Sequence, residues 1–488
     1  MNNSKRNVFN TTLLFGAVQA IQAVSVLSRG KFAALYLGID GYGRFSFYLT
    51  IIVNLQLFLL LGINNGFSRN LSIYKEEGKS GRINFILNLF YRYLIVCFFV
   101  LIFILIAFIA ISDSFVNYRI EFNEACLLFF AIYLNILLVA SQSIGQGLQM
   151  KMGLIYSSLF NSTLTVISSF VFFRFFGESS ILVAILTSSF SGIFVFLFML
   201  KIVEFRKVDV NFRMFLAEIK PIFSYGLSTL FAAIIGVIVL LLINFFLIKE
   251  GEFNTLAFYQ ASITLTTSSI ALIFNALSFN YLPQLTQLQN NVKGSNELIN
   301  DYTELGILIA APLLMTFFVF SSFFISVLFS DEFLVISDLV KLMSVGSFFQ
   351  VAGYAMALIP FARGDSATIL KYALIGGLML LLSVIFGYLF FGIDGVGYFF
   401  IIDTILIFFG VYYFSKALYS VVFNSNVKVI FLVSCVFIFS TFIAEFFIGN
   451  RILVYVLYIS LVLFSIFKLS LYLQLDFRKN ISRLINRG

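Results

Sequence analysis

Apolar residues run in long blocks along this chain, and polar residues gather in short breaks between them. About fourteen blocks reach the roughly 20 residues that cross a bilayer as one helix. Their centres fall near Ala23, Leu55, Val100, Ile136, Val166, Ala184, Ile235, Thr267, Phe317, Phe349, Leu380, Ile405, Phe437 and Leu461. The breaks carry turn residues and charges, as in "LGIDGYG", "KEEGKSGR", "RFFGESS", "KEGEFN", "PFARGD", "FGIDGVG" and "FIGNR". The pattern predicts an all-α integral membrane protein of about 14 transmembrane helices. The longest polar stretches lie around Lys201 to Lys220 and Pro283 to Glu304. Both are too short for a soluble domain and suit short helices at the membrane surface. Pro312 falls inside the ninth helix, where a proline removes one backbone hydrogen bond and favours a bend.

Composition sharpens this picture. Of 488 residues, 61% are hydrophobic and only 11% charged, against roughly a quarter charged in soluble domains. Trp is absent, so an aromatic belt at the membrane surface falls to the 23 Tyr. Cys97, Cys126 and Cys435 lack redox or metal spacing and read as packing residues. There is no His, which removes the commonest general base and metal ligand. No metal site, no catalytic group and no cofactor is expected. The opening "MNNSKRN" leads into an apolar run of spanning length, so it is expected to remain as an anchor rather than be cleaved.

Charge orients the helices. With the first residue in the cytoplasm and the helices alternating, 21 of the 31 Lys and Arg fall on the cytoplasmic side and 5 on the outer side, the rest lying in or near spans. That bias is the one expected of a membrane protein with both termini cytoplasmic. Two halves are also visible. "LGIDGYGRFSFY" and "IKEGEFNTLAFY" are alike at a distance of about six helices, as are the glycine turns at Gly147 and Gly364. Parallel repeats of this kind form two lobes about an axis along the membrane normal. The expected division is residues 1–208 for helices 1–6, 209–422 for helices 7–12, and 423–488 for helices 13–14 with a basic tail.

"LGIDGYGRFSFYLTIIVNLQLFLLLGINNGFSRN" and "ARGDSATILKY" followed by "FFGIDGVGYFFIIDTI" resemble the corresponding segments of polysaccharide and O-antigen flippases. Those proteins belong to the multidrug/oligosaccharidyl-lipid/polysaccharide (MOP) exporter superfamily, and the likeness in hydropathy covers nearly the whole chain. The resemblance implies two six-helix bundles around a basic central cavity in a bacterial inner membrane. It implies movement of undecaprenyl-pyrophosphate-linked oligosaccharide from the inner to the outer leaflet. It also implies the lipid bilayer and a lipid-linked glycan as partners, with a polysaccharide polymerase and a chain-length regulator as further ones, and no nucleic acid. Many O-antigen flippases have a twelve-helix plan and lipid II flippases a fourteen-helix one, so a lipid II cargo stays open. An ion-coupled multidrug antiporter of the same superfamily is the rival reading. A polymerase would need a large outer loop, which the chain lacks.

The charges inside spans carry the chemistry. Gln19, Gln22, Ser25 and Arg29 recur at three- and four-residue steps, a polar stripe on an apolar helix. A guanidinium suits bidentate contact with pyrophosphate. Two placements are open for Arg29: facing a cavity, or snorkelling to the outer headgroups. Lys31 lies about 200° round the helix from Arg29 and is the weaker candidate, better suited to snorkelling or to packing within the lobe. Gln142 and Gln260 could meet sugar hydroxyls or bridge helices. Asp403, in the twelfth helix, is the candidate for coupling to a proton or sodium gradient; a salt bridge is its alternative. For Glu445 a salt bridge to Arg29, Lys341 or Arg451 is preferred. Arg69, Arg363 and Asp365, in cytoplasmic turns, are candidates for gating the inner mouth. "EEGKSGR" is not a phosphate-binding loop, because Ile73 stands where the motif needs glycine and no βα unit surrounds it.

Overall fold

The computed structural model describes residues 3–60, 63–115, 122–148, 150–202, 227–268, 270, 281–282, 284–288 and 291–472. Among the described residues all regular structure is helical. The first part of the chain contains α1 (Asn3–Leu60), α2 (Ile63–Glu76), α3 (Ser80–Phe115), α4 (Phe122–Gly147), α5 (Lys151–Phe176), α6 (Ile181–Ser189), α7 (Ser191–Ile202) and α8 (Leu227–Ile263). The second part contains α9 (Val292–Val319), α10 (Ser321–Leu328), α11 (Ser337–Ala357), α12 (Ile359–Arg363), α13 (Ser366–Tyr419), α14 (Ser425–Ile443) and α15 (Arg451–Tyr472).

Ten helical stretches are long and apolar enough to cross a membrane, and all fourteen expected centres fall within them. Four stretches are 37 residues or longer, far beyond the ~20 of a single crossing: Ile21–Leu60, Met152–Lys201, Phe231–Thr267 and Ser366–Tyr419. Each has one sharp bend. The breaks lie at Gly38, at Gly177, at Gly251 with Glu252, and at Phe391 with Gly392. These are the turns "LGIDGYG", "RFFGESS", "KEGEFN" and "FGIDGVG" of the sequence. What the sequence presents as loops are bends of one or two residues joining two helices directly. Each bend contains a residue with φ of 60 to 69° and ψ between −149 and −169°, a region that only glycine occupies at little cost. Three bends use glycine there; the fourth uses Glu252.

Two of these bends share the string Gly-Ile-Asp-Gly-x-Gly, at 38–43 and 392–397. In each, the first glycine makes the bend, and the aspartate falls in the opening turn of the next helix, where the helix dipole favours a negative charge. The last glycine lies against a neighbouring element. A Cβ on Gly43 would stand 2.0 Å from the Phe253 carbonyl oxygen, and one on Gly397 would stand 2.7 Å from Leu342 Cβ.

The chain divides into two compact units, Met1–Ala257 with Leu328–Glu332, and Phe258–Val327 with Phe333–Gly488. The expected lobe boundary at 208 and 209, and the surface helix expected between Lys201 and Lys220, fall almost wholly outside the described residues. In the first unit α1 packs on α5 and α4, and α4 also packs on α2, α6 and α7. In the second unit α11 is the centre, buried on nearly every side between α9 and α13. Aromatic rings fill this core: Phe408 stacks on Phe431 at 5.0 Å and Phe348 on Phe431 at 5.7 Å. α14 and α15 pack on α9 and on each other and present large apolar side chains outward, as helices facing lipid do. Asn296 and Asn300 of α9 bind the backbone of residues 420, 422 and 424, fastening the α13–α14 connection. Pro312 sits within α9, and the hydroxyl of Thr316 donates to its carbonyl oxygen at 2.8 Å.

Candidate functional site

The polar stripe of α1 is turned inward. Ile21, Val24 and Val26 are exposed, whereas Gln22 and Arg29 are half-buried and Ser25 is buried. The side chain of Gln19 lies outside the described residues. Ser25 donates its hydroxyl to the Ile21 carbonyl at 2.8 Å, so the helix backbone already uses that proton. The Arg29 guanidinium lies over the ring of Phe45, 5.4 Å from its centroid, and interacts with Tyr42. Both aromatic residues come from beyond the Gly38 bend, which folds the second half of α1 back beside the first. Among the described residues Arg29 has no carboxylate partner. A cation held by ring faces keeps its hydrogen-bonding edge for something else. Lys31 is half-buried and is attracted by Asp331.

Gln142 of α4 and Gln260 of α8 are half-buried. The structure places Gln22, Ser25, Arg29 and Gln142 in the first unit and Gln260 and Asp403 in the second. Asp403, on the second half of α13, is buried, and its Oδ1 meets no hydrogen-bond partner among the described residues. The fully buried Tyr259 interacts with it electrostatically. The salt-bridge alternative for Asp403 is therefore absent among the described residues, while the one for Glu445 is present: its Oε1 accepts from Lys341 Nζ at 2.6 Å.

The gating candidates separate. Asp365 caps α13, accepting from the Thr368 backbone N–H at 3.1 Å and the Thr368 hydroxyl at 2.7 Å. It also accepts from the Tyr419 hydroxyl at 2.6 Å. The hydrogen bond from Tyr419, followed by those from Thr368, holds its carboxyl below the usual carboxylate range. Arg363 covers the same Tyr419 ring at 4.9 Å. Both ends of α13 are thus fastened together within one unit. The side chain of Arg69 lies outside the described residues. Arg44 pairs with Asp40 at 2.9 Å and approaches Glu178 at 3.8 Å, linking the Gly38 and Gly177 bends.

Sequence reasoning did not find the aromatic pair around Arg29 or the tyrosine beside Asp403. A residue that approaches across a bend or from another helix leaves no periodic signal. Sequence reasoning offers Lys341 as a partner for Glu445 but not the second carboxylate on Lys341, Asp338.

A family model described as "Polysaccharide biosynthesis protein" matches residues 34–338, more than half of the chain. The chain belongs to that family. No curated protein matches this member of the polysaccharide biosynthesis family. Solved structures share its fold. A multidrug resistance MATE family transporter of the MOP superfamily, in its inward-facing conformation, aligns with TM-score 0.67 and 15% identity, over 82% of this chain and 94% of that one. The lipid II flippase MurJ in an inward closed conformation aligns with TM-score 0.65 and 16% identity, over 96% and 100%. A MOP superfamily transporter from Pyrococcus furiosus aligns with TM-score 0.61 and 15% identity, over 85% and 95%. Identities this low carry the fold and nothing finer. Family and fold together make this polysaccharide biosynthesis protein a multi-pass membrane protein with the fold of those transporters and of that flippase.

Proposed function

We propose that this protein flips a polyprenyl-pyrophosphate-linked oligosaccharide, the repeat unit of an O-antigen or another surface polysaccharide. It would move from the inner to the outer leaflet of a bacterial inner membrane. The observation that carries the reading is Arg29: a half-buried guanidinium on an inward-facing stripe, held over Phe45 and without a carboxylate partner among the described residues. Pyrophosphate is the ligand such a group suits, since two parallel N–H donors meet two phosphate oxygens. A pyrophosphate and a glycan cannot cross hydrocarbon unaided. Alternating access between lobes 1–208 and 209–422 would shield them during passage, with helices 13–14 of residues 423–488 appended. Gln22, Gln142 and Gln260 supply further amide groups for sugar hydroxyls. Arg363 and Asp365 brace the inner end of one lobe and so act on gating through the stiffness of α13. On the outer side the delivered repeat unit passes to a polymerase and its chain-length regulator.

Asp403 favours coupling to an ion gradient. A buried carboxyl beside one tyrosine is chemistry for a single proton, whereas a metal cation is usually surrounded by several oxygen ligands. The same carboxyl would serve a proton-coupled antiporter of small molecules, so the cargo must be tested directly. In cells whose only copy is Arg29→Ala, lipid-linked oligosaccharide accumulates on the inner leaflet, as read by mass spectrometry of extracted lipids, and surface glycan disappears. The variant stays in the membrane at normal abundance. Normal surface glycan in that strain would remove Arg29, and with it the flippase reading.

A further inference from the structure

A second polar site lies in the second unit, apart from Arg29 and Asp403. A cavity of about 250 Å³ is lined by Ser321, Ser322, Lys341, Glu445, Arg451 and Tyr455. It forms where α9 gives way to α10 at Phe320 and where α14 passes through a short π-helical turn, Ala444–Ile448, into α15. Helix ends of this kind mark the level at which hydrocarbon meets headgroups. The cavity is also flanked by apolar surface: Phe323 is 62% exposed, and Phe447 and Ile452 are each 77% exposed.

Its charges are balanced. Lys341 Nζ binds Glu445 Oε1 at 2.6 Å and Asp338 Oδ1 at 3.0 Å, and lies 5.7 Å from the Phe446 ring centroid. Lys341 is therefore neutralised and holds Glu445 in place. The second carboxylate oxygen of Glu445 and the exposed guanidinium of Arg451 remain as one acceptor and one set of donors on the same cavity. Ser321 shares a hydrogen bond with Ser337 at 2.7 Å, and Ser322 with the same Ser337 at 3.2 Å. With Lys341 and Arg451 set against Glu445 and Asp338, the cavity does not favour a simple anion.

We propose that this cavity binds the headgroup of a zwitterionic phospholipid carrying a primary ammonium, of the phosphoethanolamine class. The phosphate meets Arg451 and the serine hydroxyls, and the ammonium donates to Glu445. The acyl chains lie along Phe323, Phe447 and Ile452. A cluster of acids alone would attract any cation, and a cluster of bases any phosphate. Opposite charges on one small cavity select a ligand that carries both. This site is independent of the cargo.

The test uses the full-length protein in nanodiscs of equal parts phosphatidylethanolamine, phosphatidylglycerol and phosphatidylcholine, with retained lipid measured by native mass spectrometry. Phosphatidylethanolamine is expected to be retained about tenfold over the other two, the scale of one charge-assisted hydrogen bond. Phosphatidylcholine tests Glu445 without mutation, because its quaternary ammonium has no proton to donate. Arg451→Gln and Glu445→Gln should each abolish the preference, with thermal unfolding run alongside to show that both variants fold. Equal retention of the three lipids, retention of phosphatidylglycerol above the rest, or a preference untouched in a folded Arg451→Gln variant would each overturn the proposal.

Discussion

Arg29 and Lys341 are both cations set in apolar helices, and their surroundings are opposite. Lys341 is joined to two carboxylates, at 2.6 and 3.0 Å. Arg29 is laid over an aromatic ring at 5.4 Å, with no carboxylate partner among the described residues. A charge inside a membrane protein is costly unless paired or placed where a ligand or water will meet it. Lys341 satisfies the first condition within the fold. Arg29 does not meet the first among the described residues, and its attraction to Phe45 and Tyr42 positions the guanidinium without a carboxylate. The difference separates a cation fixed by carboxylates from one fixed by aromatic faces.

The largest expected effect comes from the unpaired member. Arg29→Ala should abolish export of surface glycan while leaving the unfolding temperature in detergent nearly unchanged. Arg29→Lys should recover part of the export, because charge is kept but bidentate geometry is lost. The paired member should behave the other way. Lys341→Met leaves Glu445 and Asp338 without their cation. Breaking a buried pair costs about 3–5 kcal/mol. Here the Asp338 side chain is 55% exposed, so solvent absorbs part of that, and about 2 kcal/mol is expected by chemical denaturation. The double variant Lys341→Met with Glu445→Gln should recover a good part of the loss. If Lys341→Met were neutral and Arg29→Ala unfolded the protein, the contrast would be reversed.

Much of this fold was legible in the sequence because a bilayer imposes a coarse rule. Apolar runs of spanning length show the helices, and glycine with acidic residues marks the bends. All fourteen expected centres fall in helices, and "KEGEFN" or "FGIDGVG" marks a break to within a residue. What could not be read was the closeness of each turn, since a bend of one residue and a loop of five have similar composition. The site was half legible. Helical spacing placed Gln22, Ser25 and Arg29 on one face, but Tyr42 and Phe45 reach Arg29 only because the chain reverses at Gly38. Glu445 lies 104 residues from Lys341, and no local pattern connects them.

Two smaller effects sharpen the contrast between charges that brace the fold and charges that do not. Asp365 is held below the usual carboxylate range by Tyr419 and Thr368. A carboxyl depressed in the folded state adds stability above its unfolded value, and that stability is lost as pH falls through the folded value. Acidification below about pH 4 should therefore lower the unfolding temperature of the natural protein more than that of Asp365→Asn. At neutral pH the variant should be weaker by about 1 kcal/mol, the usual scale of a lost helix cap. Glu252 is the converse, an exposed charge on a strained backbone at φ 60°. Glu252→Gly should stabilise the protein by about 1 kcal/mol in the same denaturation experiment, and a loss of stability would show that the carboxylate itself is needed there.

The four bends carry one further consequence, for mechanics. A connection of one or two non-helical residues has little slack, so pulling one of its helices drags the other. Each such pair travels as one lever. However many helices are counted, the pieces free to move separately are fewer, and motion must be taken up where the chain has room to give. An added flexible segment at Gly38 or Gly392 would uncouple the lever while leaving every side chain in place. Transport that slows in proportion to the length inserted would be the mark of a machine built from hairpins.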